Sequence, residues 1–212
     1  MEKKVVKYLK VLLFAIATIF TIFFITPREF FISLLSENSA SFQEKVDVYF
    51  VFSGGFYKNR IPGRSTSERM ALLKKLLKLH PDTPFVFLDY RGGKIIVKKI
   101  YCCNSYNKII KSNYRYNSEL SGTVNNIKEL ISILKSHPEL KKIGIITSIY
   151  HEKRVYTILN RYLKKENLKK IKVLFFHDKK NQEIFSCSYA RYAKLIFHEF
   201  IGIIYFKFTE LP

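Results

Sequence analysis

Residues Ile143 to Arg154 read Ile-Gly-Ile-Ile-Thr-Ser-Ile-Tyr-His-Glu-Lys-Arg. The first four, Ile143 to Ile146, form an apolar run with three isoleucines, the pattern of a strand buried on both faces in a parallel sheet. The run stops at Thr147 and Ser148. From His151 to Lys165, apolar residues recur at Val155, Ile158, Leu159, Tyr162 and Leu163, which is helical spacing. A buried strand therefore ends in two hydroxyls, and the helix after it carries His151 at its start and Arg154 one turn in. Open α/β sheets bind ligands beyond the carboxyl ends of their strands. The stretch predicts an α/β fold with Thr147, Ser148, His151 and Arg154 at such a crevice.

The same alternation extends along the chain. Val46 to Phe52 reads as a strand running into Ser53-Gly54-Gly55, where glycines let backbone come close to a ligand. A polar stretch with Arg60, Arg64 and Arg69 leads into a helix reaching about Leu79, with Met70, Leu73, Leu76 and Leu77 on its apolar face. Arginine grips phosphate or carboxylate in bidentate fashion, so these residues point to an anion site. Pro84 to Tyr90 is a second strand. Ile95 to Tyr101 reads as a strand, followed by a polar, Tyr-rich excursion. Ser118 to Ser136 becomes a helix with Val124, Ile127, Leu130, Ile131 and Leu134 on one face. Ser121 or Thr123 caps its start, and the free N–H groups there suit an anion.

Ile171 to His177 is a further strand, and Ser188 to about Tyr205 a final helix. Glu199 lies in that helix among Phe197, Phe200 and Ile201, where a buried carboxylate needs a partner. This order predicts a Rossmann-like three-layer α/β fold, its sheet mainly parallel with helices on both faces.

Before that fold, Met1 to Lys10 carries four lysines, and Val11 to Ile25 is wholly uncharged. Counted back to Val5, the span is long enough for a transmembrane helix, with Lys7 and Lys10 reaching the headgroups. A cleaved signal peptide is the alternative, but no small-x-small site follows. The reading is therefore an uncleaved signal anchor. Its lysines stay in the cytoplasm, and the remainder lies extracytoplasmic on the inner membrane. The expected divisions are 1–29 for lysines and anchor, 30–45 for a juxtamembrane connector lying on the membrane, and 46–212 for the α/β domain.

The 37 Lys and Arg against 17 Asp and Glu leave a net charge of +20 over 212 residues. Such a surface attracts polyanions or anionic lipid. No recognition motif supports a nucleic-acid partner. Cys102, Cys103 and Cys187 form no CxxC, and His177-Asp178 is a lone pair without metal-ligand spacing, so no metal site is expected.

Four stretches resemble the YdcF/SanA/ElyC-like family of bacterial envelope proteins. They are D-V-Y-F-V-F-S-G-G with Asp47, Gly54 and Gly55; S-E-R-M with Arg69; S-G-T-V-N-N with Ser121, Thr123 and Asn126; and T-S-I-Y-H-E-K-R with Thr147, Ser148, His151 and Arg154. The final helix with Glu199 is also similar. The resemblance covers roughly Val46 to Tyr205. It implies a Rossmann-like, often membrane-anchored domain linked to envelope integrity, peptidoglycan precursors and the polyprenyl lipid carrier. Nucleotide-type ligands such as S-adenosylmethionine are associated with the family. This chain lacks a G-x-G-x-x-G, so that association is not carried over and the cofactor stays unknown. It also departs where the family places Ser-Gly-Gly and a Glu-bearing helix after the second strand. Here Tyr90-Arg91-Gly92-Gly93 leads into K-I-I-V, so that carboxylate is missing or moved.

The expectation is an envelope protein holding a phosphorylated ligand, free or lipid-linked. Arg69, Arg154 and the Ser121–Thr123 helix start would grip the phosphate. His151 would be general acid/base and Asp47 would orient a polar partner. The alternatives are a non-catalytic envelope scaffold and a binder of a nucleotide-type ligand.

Overall fold

Among the described residues, four strands form one sheet in which every neighbouring pair runs parallel, in the order β2-β1-β3-β4. They are β1 (Val48–Phe52), β2 (Phe85–Leu88), β3 (Lys142–Ile146) and β4 (Lys172–Phe176). The longer helices that follow Pro27 are α1 (Arg28–Leu35), α2 (Arg64–Leu79), α3 (Gly122–Ser136), α4 (Glu152–Lys165) and α5 (Tyr189–Phe208). This computed structural model describes residues 8, 10–11, 13–14, 17–18, 21–23, 25–55, 61–88, 115, 117, 119–120, 122–178 and 183–209.

Side chains of a strand alternate between faces, so β1 divides its apolar residues between two layers. Val48, Phe50 and Phe52 join Val86, Leu88, Ile143 and Ile145 in one cluster. That cluster is closed by Val124, Ile127 and Leu130 of α3 and by Val155, Ile158 and Leu159 of α4. Tyr49 and Val51 face the other way, with Phe85, Phe87, Ile146 and Phe176, against Met70, Leu73 and Leu76 of α2. Parallel strands covered on both faces need unbroken apolar runs, and β1 is buried at all five positions. Gly144 interrupts β3 for a packing reason. A Cβ there would lie 2.7 Å from Tyr49 Cδ1 and 3.0 Å from Phe176 Cε2.

A third cluster gathers Ile32 and Leu35 of α1, Ile149 and Tyr150, and Tyr192, Ile196 and Ile203 of α5. Phe23 belongs to it, with its ring stacked 5.2 Å from that of Phe197. Part of the stretch 30–45, expected as a connector lying on the membrane, packs into this body, while Phe30 and Leu34 are 53% and 48% exposed. Ile32 and Leu35 are buried, Ala40 N donates to Phe175 O at 2.8 Å, and Ser39 bridges the free edge of β4. Arg28 fixes the entry. Its Nη1 donates to Cys187 O at 2.9 Å, and its guanidinium lies 4.4 Å from the Tyr189 ring centroid.

Among the described residues, no helix is long and apolar enough to cross a membrane. The anchor expected over 5–25 falls partly outside them; its described positions from Tyr8 to Ile25 are helical. The strand expected at Ile95 to Tyr101, the departure at Tyr90 to Gly93, and Cys102 and Cys103 lie outside the described residues.

Candidate functional site

The order β2-β1-β3-β4 reverses the direction of winding between β1 and β3, the point at which open α/β sheets bind ligands. A pocket of about 500 Å³ opens there. Phe52, Ser53, Gly54 and Gly55 at the end of β1 form one wall, with Arg69 of α2 beside them. Gly122, Thr123 and Asn126 bring in the first turn of α3. Tyr150, His151 and Arg154 follow β3, and Leu195, His198 and Glu199 of α5 close the far side.

The glycine turn is fixed by α2. Gly54 N donates to Thr66 Oγ1 at 2.9 Å, and that hydroxyl donates to Gly55 O at 2.8 Å. A Cβ on Gly54 would lie 2.5 Å from Ser65 Cβ, and Gly55 has φ +99°, so both positions need glycine. Arg69 is buried beneath this turn. Its Nη1 donates to Phe52 O at 2.8 Å and its Nη2 to Ser148 Oγ at 2.7 Å, tying the end of β1 to the end of β3.

His151 ends a 3₁₀ turn, Ile149–His151, that His151 N closes on Ser148 O. Its Nδ1 lies 2.9 Å from Glu199 Oε2 and 3.1 Å from Arg154 Nη2. A guanidinium only donates, so Nδ1 cannot both donate to Glu199 and accept from Arg154. The carboxylate contact is shorter and charge-assisted, which places the Nδ1 proton toward Glu199. Nε2 then faces Thr123 Oγ1 at 3.5 Å, too long to occupy its lone pair well. Arg154 Nε lies 3.0 Å from Glu199 Oε2, and its Nη1 3.1 Å from His198 Nε2.

Burial is the largest influence on His151 and depresses its pKa from 6.5 to about 4. Glu199 pulls upward, and Arg154 and Arg69 push further down. The imidazole is therefore neutral near pH 7. Burial would raise Glu199, but His151, Arg154 and His198 together hold its pKa below the usual carboxylate value. Of these, Arg154 stays charged when His151 is neutral, so the guanidinium is the partner that keeps Glu199 ionised.

Gly54, Gly55, Arg69, Thr123, Asn126, His151, Arg154 and Glu199 line the same pocket. Glu199 differs in role: it orients His151 rather than facing a ligand alone. Thr147 and Ser148 do not line the pocket. Both are 1% exposed, packed under the floor because the 3₁₀ turn lifts the next residues over them. Asp47 is at the opposite edge. It precedes β1, so a parallel sheet puts it at the amino end, where its Oδ2 accepts from Lys141 N and Lys142 N at 2.7 and 2.8 Å. The catalytic expectation for Asp47 is corrected accordingly. Ser121 lies outside the described residues.

Leu195, His198 and Gly202 were not anticipated at the site. A Cβ on Gly202 would meet Arg154 Cδ at 2.7 Å, so this glycine makes room for the guanidinium stem. Leu195, His198, Glu199 and Gly202 recur at i, i+3, i+4 and i+7, one face of α5. Within it, His198, Glu199 and Gly202, polar or small in an apolar helix, were the available signal. Protein-family models, curated proteins and solved structures yield no match to this chain.

Proposed function

We propose that the chain is a membrane-anchored, Rossmann-like envelope protein of the YdcF/SanA type. Its pocket binds a phosphorylated precursor, free or lipid-linked, and acts on it through His151. The observation that carries this reading is the 2.9 Å contact of His151 Nδ1 with Glu199 Oε2, which leaves Nε2 toward the first turn of α3.

Arg69 and Arg154 against Glu199 leave the site one positive charge in excess, and the α3 start adds backbone N–H groups, so an anion is favoured. Asn126 Oδ1, buried on the lining without a hydrogen-bond partner among the described residues, can accept from a ligand hydroxyl. Neutral His151 takes the proton of an attacking water as its oxygen bonds to phosphorus. The P–O ester bond opposite the water breaks, the leaving oxygen takes a proton from solvent, and the imidazolium, stabilised by Glu199, gives its proton back to solvent. The lysines before Val11 support a pocket outside the membrane.

A second reading, ligand binding without turnover, is favoured by Arg69, whose Nη1 and Nη2 are already engaged by Phe52 O and Ser148 Oγ. The test is phosphate release by the purified full chain from polyprenyl phosphate and from a soluble sugar phosphate, with His151→Ala beside it. Release abolished by the substitution supports turnover. Binding without release supports the second reading, and absence of both overturns the proposal.

A further inference from the structure

The inward residues of α5, Tyr192, Ile196, Ile203 and Phe206, are buried. Its outward face is apolar as well. Phe197, Ile201, Ile204, Tyr205 and Phe208 recur at i, i+4, i+7, i+8 and i+11, and Ile201 and Phe208 are 66% and 85% exposed. Beyond Phe23, which stacks on Phe197, no cluster of the described residues covers this stripe. A helix apolar on both sides with one side uncovered marks an interaction surface.

Two features identify the occupant. The stripe is continuous with the apolar N-terminal run, because the Phe23 ring stacks on Phe197 and the neighbouring Ile22 and Ile25 are exposed. Exposed Lys194 precedes it and exposed Lys207 adjoins its last residue, Phe208, each within one helical turn of a stripe residue, as lysines that reach phosphate headgroups do. Arg191, Lys194, His198, Glu199 and Lys207 make α5 too polar to span, and it is not among helices long and apolar enough to cross. It suits the plane of the interface instead.

We infer that the outward face of α5 lies in the outer leaflet of an anionic bilayer, alongside the N-terminal anchor. One helix then carries both the membrane face and the pocket residues Leu195, His198 and Glu199. The pocket is held at headgroup depth, where the phosphate of a lipid-linked substrate resides. The choice of a lipid-linked over a free substrate, the anchor and the side of the membrane rest on the function proposed above; the apolar, lysine-flanked face of α5 does not.

The chain has no tryptophan, so a single introduced one reports its own surroundings. Full-length Ile204→Trp and, as control, Tyr156→Trp on α4 are placed in phosphatidylcholine–phosphatidylglycerol vesicles with brominated acyl chains. Severalfold stronger quenching at position 204 than at 156 is expected. Equal quenching overturns the contact, as does an unquenched, blue-shifted emission with a crosslinked dimer, which would show a second copy on this face. A second arm compares Ile201→Lys/Ile204→Lys with the parent chain. Release from polyprenyl phosphate should fall at least tenfold while release from a soluble sugar phosphate is unchanged. Equal loss on both substrates overturns the role in substrate choice. Quenching at 204 without release of either phosphate sinks the proposed turnover and leaves the membrane contact standing.

Discussion

His151 Nδ1 and Glu199 Oε2 stand 2.9 Å apart, joining the start of α4 to the middle of α5 across a separation of 48 residues. The contact fixes the imidazole tautomer and aims Nε2 into the pocket. It also places a carboxylate where a proton arriving on His151 would be stabilised, the arrangement that general-base histidines use.

The first consequence is a pH dependence of stability. His151 titrates at about 4 in the folded chain and at 6.5 when unfolded, with burial as the main cause. Between these values the unfolded state binds more protons, so stability is full above pH 6.5 and is lost as pH falls toward 4. A shift from 6.5 to about 4 corresponds to about 3 kcal/mol. Glu199, whose pKa is lowered, acts in the same direction below 4.5. Urea unfolding of the parent chain and of His151→Asn at pH 7, 5.5 and 4 isolates the histidine. The variant should show the shallower decline, and parallel curves would refute the assignment.

Glu199→Gln keeps a hydrogen-bond acceptor but removes the charge. Loss of imidazolium stabilisation is expected to lower phosphate release about 10²- to 10⁴-fold, chiefly in kcat, and to displace the acid limb of the pH profile. Adding His151→Ala should then cost little more, because the two groups act as a unit. Additive losses in the double variant would show that Glu199 serves only to hold Arg154.

How much of this was readable beforehand follows from which signals are local. The run Ile143 to Ile146 and the spacing from Val155 to Leu163 specified a buried strand and an amphipathic helix, and β3 and α4 lie there. His151, Arg154 and Arg69 converge because a parallel sheet gathers residues that follow its strands. The same rule, applied fully, would have excluded Asp47, which precedes its strand. The Thr147 and Ser148 side chains were misplaced because strand periodicity cannot foretell a 3₁₀ turn beginning two residues later. The pairing of Glu199 with His151 was beyond local reading, since it depends on how α5 crosses α4.

Gly202→Ala tests the room kept for Arg154. Alanine is the better helix former by about 1 kcal/mol, so packing aside the change would stabilise α5. Its Cβ would fall 2.7 Å from Arg154 Cδ, a flexible stem that can yield. The expected result is a melting temperature within a few degrees of the parent chain and a severalfold weaker affinity for phosphate-bearing ligand, read by calorimetry. An unchanged affinity would mean that the position of Arg154 is not critical to binding.

Beneath the far side of the sheet end, Glu152 forms a second buried junction outside the pocket lining. It is 0% exposed; its Oε1 lies 2.8 Å from His177 Nδ1, and its Oε2 accepts from Glu37 N at 2.9 Å. Burial outweighs these contacts and raises its pKa above the carboxylate norm. The residue thus links α4, the end of β4 and the segment after α1 that runs along the sheet edge. Glu152→Ala leaves two donors without their acceptor, at about 1–3 kcal/mol each, so a loss of about 3 kcal/mol is expected in urea unfolding. Glu152→Gln should recover a large part, since an amide oxygen still accepts. Hydrogen exchange at the Glu37 amide should quicken in the alanine variant at constant pH, and an unaltered exchange rate with full loss of stability would place the cost elsewhere.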